Sequence, residues 1–174
     1  MSIIDKIDKT ELKELLIKNW MTHDAMWLYH CVSECGIDAT NKINQAAVKS
    51  MASIEVQRIR KLMGIPKDKK IETMEELMVI METARDILKG EFMDFDYSAT
   101  PDGVLSWKWN KCFAYEGIKG LGLLDHYKCG ILIRINSWFD TLGVKYELSP
   151  VIDKCIMHTK GGCEGEYRIF LSRV

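Results

Sequence analysis

The sequence lacks long apolar runs, an excess of either charge, and any CxxC pair. Apolar stretches stop at about five residues, as in Cys129 to Ile133, against the ~20 that a membrane-spanning helix needs. Lys plus Arg number 24 and Asp plus Glu 25, a net charge of −1. That balance excludes a nucleic-acid binder working through bulk positive charge and a highly charged disordered tail. The opening segment, MSIIDKIDKTELKELL, carries charges every few residues and no apolar core of the signal-peptide kind. A cytoplasmic protein with no membrane and no nucleic-acid partner is therefore expected. Without CxxC, the strong spacing of a zinc ribbon is missing. No internal repeat or low-complexity segment is present.

What is there is a chain of ordinary globular composition, 47% hydrophobic and 28% charged over 174 residues. A chain this long can bury roughly 70% of the surface its unfolded form exposes, so one domain over 1–174 is expected. It divides near Gly90 into a helical part, 1–90, and an α+β part, 91–174. Six cysteines and ten methionines stand out. In the cytosol disulfides are rare, so the cysteines read as packed, metal-bound or catalytic rather than as three bridges.

The helical part reads as three helices. Asp8 and Glu11 resemble a capping box, apolar positions run from Leu12 through Trp20 to Trp27, and Gly36 is the expected stop. Asp38 can cap a second helix that ends at Gly64 and Pro66. Thr73 and Glu76 form a capping box for a third, closed by Gly90. The period then changes to two. Met93, Phe95 and Tyr97 alternate with acidic residues, and Leu105, Trp107 and Trp109 alternate with polar ones, on either side of Thr100-Pro101-Asp102-Gly103. This pattern predicts a β-hairpin. A helix over Asp125 to Leu142 and strands over Tyr146 to His158 and Glu164 to Arg173, turning at Lys160-Gly161-Gly162, complete the reading. The expected fold is α+β: three N-terminal helices, then β-hairpin, helix and β-hairpin, forming a four-stranded antiparallel sheet.

Two residue sets are candidates for chemistry. Cys112, Cys129, Cys155 and Cys163 sit at or near the ends of predicted elements, where residues distant in sequence can converge. Cys129 falls in the expected first turn of the long helix, where the partial positive charge lowers a thiol pKa. The four could hold a metal, with zinc and iron both suited to thiolates, supply a nucleophile, or simply pack as small apolar groups. Cys163 near His158 resembles a nucleophile and base without an orienting group. The second set is His23, Trp27 and His30, which share one helix face at i, i+4 and i+7, with Asp24 beside them. They read as a pocket lining or as a packing stripe. Glu55 could face that stripe as a ligand contact or base, or form an ordinary bridge with Arg58. Tyr115 joins Asp24, Trp27 and Glu55 as a candidate ligand contact.

The runs VLSWKWNKC, LLDHYKCGILIRI and HTKGGCEGEYRIFLSR resemble the L-2-amino-thiazoline-4-carboxylic acid hydrolase family, with Cys112, Cys129 and Cys163 at the matching positions. The order of elements is also similar to the 4-vinyl reductase domain, a small-molecule-binding α+β domain whose late cysteines are linked to zinc. The first half looks like an uncharacterised bacterial and archaeal group. The hydrolase resemblance covers Val104 to Arg173, and Cys155 has no clear counterpart in it. It implies hydrolysis of a C–N or C=N bond, with Cys112 or Cys129 as nucleophile or metal ligand; His23 or His30 would serve as general base if the first helix covers the pocket. The alternative is a non-catalytic ligand- or metal-binding sensor module. A homodimer is left open, on the face that carries Leu105, Trp107 and Trp109.

Overall fold

The computed structural model describes residues 2–171; Arg173, the expected end of the last strand, lies outside them. The chain is α+β with a four-stranded antiparallel sheet, but the expected three N-terminal helices are overturned. A single helix, α1, runs over Lys9–Leu62, and α2 over Met74–Leu88. Gly36 does leave helical geometry, at φ 74 and ψ 167. It does so alone, as a kink with helical residues on both sides of it. One glycine absorbs the kink because it tolerates positive φ, and no run of turn residues follows to separate two helices. Both N-termini are capped as the residues suggest. The Asp8 carboxylate accepts from the Thr10 and Glu11 amides, and the Thr73 hydroxyl accepts from the Glu76 amide.

The hairpin forms as the period predicts, with β1 at Asp94–Ala99, β2 at Val104–Lys111, and Gly103 at φ 95 in the turn. Two short helices come in addition to the expected set, α3 at Phe113–Gly120 and α5 at Ile156–Lys160. The long helix expected from Asp125 is α4, and it starts only at Ile131, reaching Leu142. The expected strand to His158 stops early. It is β3, Lys145–Ser149, and Pro150 follows it, a residue that cannot donate to a ladder. The last strand, β4, is Cys163–Phe170, and the sheet order is β1-β2-β4-β3.

Period two divides the sheet into a wet face and a dry one. Asp96, Ser106, Lys108, Glu164 and Glu166 point outward, while Leu105, Trp107, Tyr167 and Ile169 are buried. α2 and α4 cover the dry face, and α1 packs against both of them. The core joins Val56 and Ile59 of α1, Leu77 and Ile80 of α2, and Phe139 of α4 to the buried strand residues. Phe139 meets Tyr167 edge-on at 5.1 Å between ring centres.

Gly165 of β4 sits opposite Trp107 of β2. A Cβ there would lie 2.5 Å from the Ser149 carbonyl oxygen and 2.7 Å from Trp107 Cζ2. The backbone contact cannot yield by a rotamer change. Gly165→Ala is therefore expected to lower stability by about 1–3 kcal/mol, as overpacking does, and chemical denaturation measures it. An unchanged midpoint would mean that the Trp107 indole and the neighbouring strand end move freely.

Candidate functional site

Cys112 is the residue before α3 and Cys129 lies just ahead of Gly130, the residue that precedes α4. Cys155 precedes α5 and Cys163 opens β4. These four positions meet around one small cavity of about 20 Å³, also lined by Trp109, Tyr115, Tyr127 and Met157. That volume is about enough for one water. All four thiols are free.

Burial governs their chemistry. It pushes Cys112 up to about 11, and the amides of Tyr115 and Ala114 offset only part of the effect. Cys163 is pushed up to about 12 by burial and by the neighbouring thiols Cys129, Cys112 and Cys155. Cys129 is the instructive case. The helix start was expected to favour its thiolate, and the Leu132 and Ile131 amides do pull that way, but desolvation is larger and the pKa rises. Cys129 also lies outside the first turn it was expected to occupy. As they stand, Cys112, Cys129 and Cys163 are protonated at neutral pH.

The loop that carries Cys129 is held by a residue the sequence did not single out. Asn41 of α1, only 3% exposed, donates Nδ2 to the His126 carbonyl at 2.7 Å and accepts the Lys128 amide at 3.0 Å. The Gly130 amide donates to the Tyr127 hydroxyl at 3.3 Å. A Cβ on Gly130 would stand 3.3 Å from Asn44 Nδ2 and 3.6 Å from Val48 Cγ2. α1 therefore positions the approach to the thiol cluster, although it contributes no cysteine to it.

The remaining candidates are placed elsewhere. Tyr115 lines the thiol cavity, but His23, Asp24, Trp27, His30 and Glu55 do not. His23 and Asp24 face each other at 3.7 Å with side chains 74% and 56% exposed, and Trp27 is 53% exposed. His30 is exposed, with its ring edge-on to Tyr29 at 5.2 Å. Glu55 does not pair with Arg58. Its carboxylate accepts two bonds from Arg134 of α4, from Nε at 2.8 Å and from the guanidinium NH2, and a third from Trp138 Nε1 at 3.0 Å. The Arg134 guanidinium stands over the rings of Trp20, at 5.1 Å, and Trp138, at 5.6 Å. His158 does have an orienting partner, since its Nε2 meets Asp125 Oδ1 at 2.8 Å. Neither of the two lines the thiol cavity.

A second cavity, of about 110 Å³, lies between the dry sheet face and α2 and α4. Aromatic rings of Phe95, Tyr97, Trp107 and Trp109 line it from the sheet, and Met81, Ala84 and Leu88 from α2. Trp109, Ile131 and Leu132 line both cavities, so the two share a wall. The volume approaches the ~150 Å³ engineered cavity that takes up benzene.

Fold and site together define an α+β chain with an apolar cavity set against four free thiols, two of them buried and two half-buried. The comparisons with known proteins add the family. Residues 4–95 match a family described as a family of unknown function (DUF6125). The match spans more than half of the 174 residues, and the chain belongs to this family. No curated protein and no solved structure matches. The matched segment is α1, α2 and the start of β1. The resemblance to the thiazoline-carboxylic acid hydrolases and the vinyl reductase domain, drawn on Val104 to Arg173, receives no support from these matches. Among the described residues, no helix is long and apolar enough to cross a membrane.

Proposed function

We propose that the protein binds a small apolar molecule in the cavity between the sheet and α2 and α4, with the four-thiol cluster forming the adjoining wall. The observation that carries this reading is the cavity itself. Ligand sites are concave and mostly apolar, with a few polar groups at fixed places, and the rings of Phe95, Trp107 and Trp109 make this one apolar. A hydrolase acting on a C–N or C=N bond would need an activated thiol and a base. Burial keeps Cys112 and Cys129 protonated, and no histidine or carboxylate lines the thiol cavity among the described residues. Binding is therefore favoured over catalysis.

The thiols carry a second part of the proposal, a soft metal such as zinc or iron held by Cys112, Cys129, Cys155 and Cys163. Four thiolates are a donor set that suits either metal. The described residues hold no ready-made cluster of three or more donors, so binding requires the four sulfurs to draw inward from the cavity wall. When bound, such an ion would fix the starts of α3, α4, α5 and β4 relative to one another. A homodimer remains part of the proposal through the exposed Leu15, Leu16, Met26 and Trp27 of α1. It does not rest on Leu105 and Trp107, which are buried in the core.

Benzene is the direct probe of the cavity. Added to the folded protein, it is expected to shift the side-chain NMR signals of Trp107 and Trp109 saturably. Ala84→Phe, at a position 1% exposed on the cavity wall, is expected to abolish the shift while the melting curve stays cooperative. An absence of saturable shifts in the unaltered protein would overturn the binding reading.

A further inference from the structure

The polar groups around the apolar cavity are nearly all hydrogen-bond donors. Among its lining side chains, Arg85, Lys89 and Arg134 are cations, the tryptophan indoles are donors only, and the two tyrosine hydroxyls can do either. No carboxylate, amide or imidazole is among them. Four of these eight side chains already have partners. Arg134 is held by Glu55, and Arg85 is shared between Glu82 at 2.7 Å and Asp86 at 3.9 Å. The Trp138 indole donates to Glu55, and the Tyr167 hydroxyl donates to Asn136.

Among those left over are Lys89, the Trp107 indole and the Tyr97 hydroxyl, which is likewise buried without a partner. Lys89, at the C-terminal end of α2, is half-buried and has no carboxylate within ion-pair distance among the described residues. Its Nζ rests over the Phe95 ring at 5.4 Å, a partner that keeps it beside the cavity without neutralising it. Trp107 is 8% exposed, and its Nε1 is buried with no hydrogen-bond partner. A buried donor without an acceptor is costly, and native structures rarely leave one so. A cation without a carboxylate and an orphaned N–H, on two residues that line the same cavity, call for an acceptor that the chain does not supply.

We infer that the cavity takes an apolar acid: a body of about one ring held against Phe95, Trp107 and Trp109, with a carboxylate or similar anionic group received by Lys89 and the Trp107 indole N–H. This rests on the binding reading above and goes beyond it by naming the ligand's chemical class. The carboxylate gains a charge-assisted bond that a neutral group does not, and the ring fills space that a free phosphate or another small hydrophilic anion would leave empty. An amine of the same shape would meet donors only and a like charge.

The test compares benzoate, benzyl alcohol and benzylamine with benzene, all on the intact protein, by titration of tryptophan fluorescence and of side-chain NMR signals. Benzoate is expected to bind about tenfold tighter than benzyl alcohol, with benzylamine weakest and with the benzoate preference shrinking in high salt. Lys89→Met is expected to bring the ratio of benzoate to benzyl alcohol affinity close to one, and Lys89→Arg to keep it above one. A benzoate affinity no greater than that of benzyl alcohol, or a ratio unmoved by Lys89→Met in a normally melting protein, overturns the inference while leaving the cavity reading intact. Failure of benzene and all three compounds to bind overturns both.

Discussion

Replacing Glu55 with alanine is expected to lower the folding stability by about 3–5 kcal/mol, the cost of leaving a buried charge without its partner. The Glu55 and Arg134 side chains are only 12% and 16% exposed, so water replaces the lost carboxylate only in part. Glu55 accepts from both Arg134 nitrogens and from the Trp138 indole. The substitution therefore orphans three donors at once, in the layer where α1 meets α4. The Trp20 and Trp138 rings against the guanidinium hold Arg134 where it is, so it cannot swing into solvent without undoing that packing. Urea denaturation measures the effect, read as a fall in midpoint at constant slope. Glu55→Ala combined with Arg134→Met is expected to regain part of the loss, because the pair is then removed together. A loss below ~1 kcal/mol would place Glu55 among ordinary surface bridges, the role that pairing with Arg58 would have given it.

That contrast marks how far the sequence alone reaches. The hairpin was legible because alternation and a Pro-Asp-Gly turn are local, and local geometry decides them. The grouping of Cys112, Cys129, Cys155 and Cys163 was legible for a similar reason. Each stands next to the start or end of an element, and such ends gather at the edges of a layered fold. Glu55 was not legible, because its partner lies 79 residues away while a plausible one stands three residues away. The count of helices failed at Gly36 because a positive-φ glycine can end a helix or merely bend it, and only packing chooses between the two. β3 is shorter than its sequence pattern suggests because Val151, Ile152 and Ile156 keep an apolar look past Pro150, yet Ile156 belongs to α5. Asn41 had no local signal at all, since its two bonds go to backbone groups 85 and 87 residues distant. The histidine stripe does not join the thiol cavity, for a plainer reason. Helical spacing puts residues on one face but does not say that anything covers that face, and here His23, Trp27 and His30 face water.

The purified protein is expected to carry about one equivalent of zinc or iron per chain, and removing it should move the pH-dependent loss of stability from the acid to the alkaline side. Without metal, burial raises Cys112 from 9.0 to about 11 and Cys163 from 9.0 to about 12. A thiol raised in the folded state contributes stability that is fully present below its unfolded value. As pH climbs above about 9, the unfolded chain sheds these protons first and gains relative to the fold. The loss continues until the folded thiols ionise, near 11 and 12. For Cys112, a shift of about two units corresponds to roughly 3 kcal/mol. With metal bound the thiols are already thiolates, so this alkaline loss disappears. An acid loss takes its place, because protons compete with the ion as pH falls. Elemental analysis and melting curves from pH 5 to 10, before and after chelation, measure both arms. Cys112→Ser and Cys163→Ser should each lower the bound metal sharply while leaving an alkaline-sensitive fold. A metal-free protein whose stability falls only on the alkaline side, and whose melting curve does not change with added zinc or iron, would reduce the four thiols to packing and leave the apolar cavity as the whole of the site.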